Sequence, residues 1–140
     1  MPRISRFLFG AWPTADCDGK IKDISDALSF SAGYCDCLGA THYRSLLLRK
    51  GELLIIDKIS GFKEDAVLRW HLVAKEWNYS KNGVYDKSIS IKVTAEQQQL
   101  QMKQATGWQS RYYSKKTKVP IIEFSIKKED IITTQITWDE

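Results

Sequence analysis

The chain has two histidines, His42 and His71, so proton transfer through an imidazole near neutral pH has only two candidates. In an extended segment alternate side chains share a face, which sets His42 beside Arg44. An imidazole next to a guanidinium can bind a carboxylate or sulfate, with the arginine gripping it bidentately. The same residues also describe a half-buried histidine packed on the arginine stem, with Arg44 paired to an acid across a sheet. His71 follows Arg69 at the same spacing, either as a second copy of the arrangement or as part of a solvated strand face. A second group, from Trp108 through Arg111, Tyr112 and Tyr113 to Lys118, interleaves aromatics with bases. Aromatic rings stack on sugars or bases and cations hold anionic groups. The competing description is a solvated basic loop, Lys115 to Lys118, beside two core aromatics.

Other chemistry is disfavoured by what the sequence lacks. There is no G-x-S-x-G elbow, no nucleotide-binding glycine pattern, no H-E-x-x-H and no C-x-x-C. Cys17, Cys35 and Cys37 are odd in number, which excludes a complete disulfide framework, and a Cys-x-Cys pair without further soft ligands makes a poor zinc site. The cysteines are expected to be reduced, with no metal and no cofactor. The net charge of +4, from 21 basic and 17 acidic residues, is too small for a dedicated nucleic-acid binder, so nucleic acid ranks last among the partners.

These residues need a scaffold, and its composition is that of a globular chain, 43% hydrophobic and 27% charged. At 140 residues without a linker or repeat, a single domain over 1–140 is expected. No apolar run approaches the roughly 20 residues of a membrane span, and the stretch Met1 to Ser5 is not the long apolar run expected of a signal peptide. Short apolar stretches alternate with turn signals, which indicates an all-β domain. Ile89, Ile91 and Val93 form one apolar strand face. Thr41 to Arg49 and the run Leu53-Leu54-Ile55-Ile56 make a hairpin about Lys50-Gly51, the second strand central and covered on both faces. Further strands are expected at Ser5 to Trp12, Leu28 to Tyr34, Ile121 to Ile126 and Ile131 to Trp138. Phe62 to Trp77 and Thr94 to Ala105 fit both helical and strand spacing, with Trp70 on an apolar face in either case.

Several segments in order carry a family resemblance: Gly33-Tyr34, His42-Tyr43-Arg44-Ser45-Leu46-Leu47-Leu48, Glu52 to Gly61 and Leu68-Arg69-Trp70-His71-Leu72. With Gly107 to Tyr113 and Val119 to Phe124, they resemble the carboxy-terminal region of heparinase II/III-like polysaccharide lyases over roughly residues 5 to 138. The resemblance implies an antiparallel β-sandwich, and strands for both ambiguous segments. It also implies a parent with an α/α toroid that performs β-elimination on a uronate-containing acidic polysaccharide, using a tyrosine and a histidine for the protons. The toroid and the His-Asn motif of the family are not in this sequence, so no catalytic residue carries over. His42, Arg44 and His71 match recurring family positions and are expected to shape an interface or the sandwich core. With Trp108, Arg111 and Tyr112 they are the candidate substrate-binding residues. The expected partners are an acidic polysaccharide, the toroid of the parent, and a second copy through an exposed sheet edge. A degradative parent is expected in the periplasm or outside the cell, with the cytoplasm as the alternative.

Overall fold

A computed structural model describes residues 13–17 and 20–139 of the chain. The expected strand at Ser5 to Trp12 lies outside the described residues. Among those described there are twelve strands and no helix: β1 (Thr14–Cys17), β2 (Lys22–Ile24), β3 (Ala27–Cys35), β4 (Thr41–Arg49), β5 (Glu52–Ser60), β6 (Ala66–His71), β7 (Asn78–Ser80), β8 (Gly83–Tyr85), β9 (Ile89–Ala95), β10 (Met102–Tyr112), β11 (Lys115–Ile126) and β12 (Asp130–Trp138). Nine form one sheet in the order β1-β3-β4-β5-β12-β9-β8-β7, with β2 also on β3, and three form a smaller sheet, β10-β11-β6. All pairings are antiparallel, so the fold is the expected all-β antiparallel sandwich.

The core lies where the small sheet covers part of the large one. Alternation sends Leu68 of β6 and Ile122, Phe124 and Ile126 of β11 inward, against Ile91 and Val93 of β9 and Ile132 of β12. Neither ambiguous segment is helical. Ala66 to His71 becomes β6, and Thr94 to Ala105 divides between the end of β9 and the start of β10.

Two hairpins fix the registers that matter. The Lys50-Gly51 turn, with Gly51 at φ +70°, closes Arg49 on Glu52 and thereby sets Arg44 opposite Asp57. The turn before β4 is held by Asp36, whose Oδ1 accepts from the amides of Leu38 (2.8 Å) and Ala40 (2.9 Å), and this sets Tyr34 opposite His42.

The β5 run is not covered on both faces as expected. Ile55 is buried at 3% exposure, but Ile56 on the outer face is 37% exposed, because the small sheet packs on one side only. Nor is Lys115 to Lys118 a loop; it is the start of β11.

Gly61, which follows β5, has φ +72°, and a Cβ there would lie 2.3 Å from the carbonyl oxygen of Gly39. Left-handed strain and a backbone clash act together, so Gly61→Ala is expected to lose about 2 kcal/mol. Urea denaturation checks this: the midpoint should fall at constant slope, and an unchanged midpoint would refute the close approach.

Candidate functional site

Alternation points His42 and Arg44 of β4 toward the interior, as it does Asp57 of β5. Asp57 is fully buried, flanked in register by Arg44 on one side and Ile132 of β12 on the other. Arg44 donates from Nε to Asp57 Oδ1 at 2.6 Å and from Nη2 to Oδ2 at 2.9 Å, a bidentate fork. His42 Nε2 lies 2.6 Å from the same Oδ1. The Tyr34 ring stands edge-on to His42 with centroids 5.5 Å apart. Trp70 of β6 closes the cluster from the opposite sheet, its ring centroid 5.2 Å from the Arg44 guanidinium carbon.

Burial pushes the Asp57 pKa up, but the hydrogen bonds and charges of His42 and Arg44 outweigh it and hold the carboxyl below its ordinary value. Asp57 is therefore an anion locked between two bases. Both oxygens are engaged, and the guanidinium fork that could grip a substrate carboxylate is occupied by an internal one. Of the two descriptions of His42 and Arg44, the geometry matches the half-buried pair with an acid across the sheet.

His71 does not join them. Its neighbour Trp70 faces inward, so His71 takes the outer face of the small sheet, opposite Ile121. Arg69 on that outer face donates from Nε to Glu123 Oε1 at 2.6 Å, so no second copy of the His42-Arg44 arrangement forms. Trp108, Arg111 and Tyr112 lie apart from both, on the far reach of β10, with Trp108 58% and Tyr112 72% exposed. Among the described residues no three metal-ligating side chains converge, and Cys35 and Cys37 are free thiols.

Sequence reasoning singled out His42 and Arg44 without their partner. The signal was available: the Arg49 to Glu52 closure about Lys50-Gly51 already places position 57 opposite position 44. Trp70 was legible as apolar, but its contact with Arg44 depends on how the two sheets stack.

The family described as Heparinase II/III-like, C-terminal, matches residues 5–137. No curated protein sequence gives a significant match. Among solved structures, a heparinase III gene product is similar with a TM-score of 0.77 at 17% identity, over 88% of this chain and 21% of that one. A heparan sulfate lyase, HepC from Pedobacter heparinus, is similar with a TM-score of 0.72 at 20% identity, over 90% of this chain and 22% of that one. The chain thus spans about a fifth of the length of these structures, and at such identity the likeness is one of fold. With the family match running over nearly the whole sequence and the sandwich in agreement, this chain belongs to the heparinase II/III-like C-terminal family.

Proposed function

We propose that this chain serves as the C-terminal β-sandwich of a polysaccharide lyase that cleaves a uronate-containing acidic polysaccharide by β-elimination, and that the sandwich itself performs no chemistry. The observation that carries the second half is the engagement of Asp57 by both His42 and Arg44. β-Elimination needs a base at the proton next to the uronate carboxylate, a cation or amide to neutralise that carboxylate, and an acid for the leaving oxygen. His42 and Arg44 face the interior and are spent on Asp57, so neither is positioned for those roles. Their role is to lock β4, β5 and β6 together.

In this reading the rest of a longer parent, including the toroid, covers what the small sheet leaves open. Leu28 and Leu48 point to the inner side of the large sheet yet are 45% and 40% exposed, and Tyr34 there is 49% exposed. A second copy of the chain is the rival occupant, and sedimentation velocity at increasing concentration separates the two: a concentration-dependent dimer favours the copy.

The lyase reading is tested by incubating the folded chain with heparan sulfate, chondroitin and alginate and following the ultraviolet absorbance of the unsaturated uronate product. The expected result is no product, with folding verified by circular dichroism. Product formation would overturn the non-catalytic assignment and make His42 and His71 the first residues to mutate.

A further inference from the structure

The small sheet is three strands wide only over part of its length. β11 pairs with β6 from Ile121 to Ile126, whereas its pairing with β10 runs on through Gly107–Val119, Trp108–Lys118 and Gln109–Thr117. Beyond Ile121 the β10–β11 pair continues as a two-stranded arm reaching past the edge of β6. Met102 packs on the core, so alternation along β10 turns Gln104, opposite Ile122 at the root of the arm, and Thr106 and Trp108 on the arm itself to the inner side, with Pro120 and Lys118 opposite the last two on β11. Tyr79 of β7 faces the arm from the large sheet, since its cross-strand partner Val84 lies in the core. A cleft of about 340 Å³, lined by Tyr79, Gln104, Thr106, Lys118 and Pro120, opens between them. Trp108 stands one step further out, with Lys118 Nζ 5.6 Å from its ring centroid.

The charge is as localised as the aromatics. Residues 106–120 hold four of the 21 basic residues and none of the 17 acidic ones, which leaves 17 bases against 17 acids in the remainder. The net positive charge of the chain therefore belongs to this arm. Among the described residues Arg111, Lys115 and Lys116 form no ion pair.

Resting on the acidic-glycan reading above, we propose that the arm and the cleft at its root form a binding subsite for an acidic sugar, separate from the Asp57 cluster. Trp108 and Tyr79 offer flat faces for the apolar C–H surface of a pyranose, while Gln104 and Thr106 supply hydrogen-bonding groups for hydroxyls. Lys118 takes the carboxylate or sulfate, and Arg111, Lys115 and Lys116 attract the flanking anionic residues. A purely electrostatic patch has no need of aromatics at the cleft, and that difference gives the test.

The 140-residue chain is titrated with a heparan sulfate oligosaccharide and, separately, with inorganic polyphosphate of matched charge. Trp108→Ala is expected to weaken oligosaccharide binding about tenfold and polyphosphate binding by less than about twofold, the scale of one lost stacking contact. Tyr79→Ala, across the cleft, should move binding the same way, while Lys115→Ala/Lys116→Ala should weaken both probes. Absence of oligosaccharide binding, equal losses on both probes with Trp108→Ala, or tighter binding of a single-stranded oligonucleotide would each overturn the subsite. Trp108 is a surface residue, so its variant keeps the fold. Failure here leaves the non-catalytic reading intact, and product formation in the lyase assay would overturn that reading without touching the arm.

Discussion

Asp57→Ala is expected to destabilise the sandwich by about 3 kcal/mol, the lower part of the range for removing one partner of a buried ion pair. The lower part applies because the side chains of Arg44 and His42 retain 34% and 24% exposure, so water compensates some of what Asp57 supplied. For a chain of this size that is a fall in melting temperature of about 6–12 °C. The double variant Arg44→Met/Asp57→Leu removes both charges together and is expected to recover most of the loss, because the cost lies in the uncompensated charge rather than in lost packing. A melting temperature for Asp57→Ala within a degree or two of the parent would show that the cluster does not lock the sheets.

The same carboxylate sets a pH dependence of definite sign. Its pKa is lower folded than unfolded, so it contributes stability above its unfolded value of about 4 and loses that contribution as pH falls through the folded value. The stability gap between the parent and Asp57→Ala should therefore be full at neutral pH and shrink below about pH 4. Three other carboxyls are also held low: Asp36 by the amides of Leu38 and Ala40, Asp86 by Lys75, and Glu123 by Arg69. They are present in both proteins and cancel in the difference. Thermal melts of the pair from pH 7 to pH 2 read it directly, and a gap that widens on acidification would reverse the assignment.

The second large effect is in the core. Phe124 on β11 is fully buried, in register between Met102 of β10 and Leu68 of β6 and facing the large sheet. Phe124→Ala removes its burial and leaves a cavity in a rigid strand setting, which costs about 3–5 kcal/mol. This is comparable to the whole stability of a marginal domain, so the variant should melt far below the parent and be partly unfolded at physiological temperature. Ile56→Ala serves as the contrast, since the outer face already leaves Ile56 37% exposed. Equal losses at the two positions would mean that the small sheet does not seal the core as described.

Both effects trace to features that the sequence carries to different depths. Period-two alternation at Ile89 to Val93 and the Lys50-Gly51 turn are local, set by the backbone and nearest neighbours, and they survive in the structure as β9 and the β4–β5 hairpin. The same local rules, followed to their end, bring Arg44 to Asp57. The coverage of each face was not local. Leu53 to Ile56 looks buried on both sides because every residue is apolar, but only the stacking of the small sheet decides that Ile55 is sealed while Ile56 meets solvent. His71 shows the same limit: its spacing from Arg69 matches that of His42 from Arg44, yet the two pairs face opposite ways relative to the core. Local pattern was enough for strands β3, β4, β5, β9 and β12 and for the close of β4 on β5, and it carried the cationic, aromatic character of residues 108–118. Tertiary structure alone decided which strand face is inside, that Trp70 closes over Arg44, and that Tyr79 comes to the root of the β10–β11 arm. Those contacts join positions distant in sequence, and no residue's neighbours along the chain encode which sheet will lie across from it.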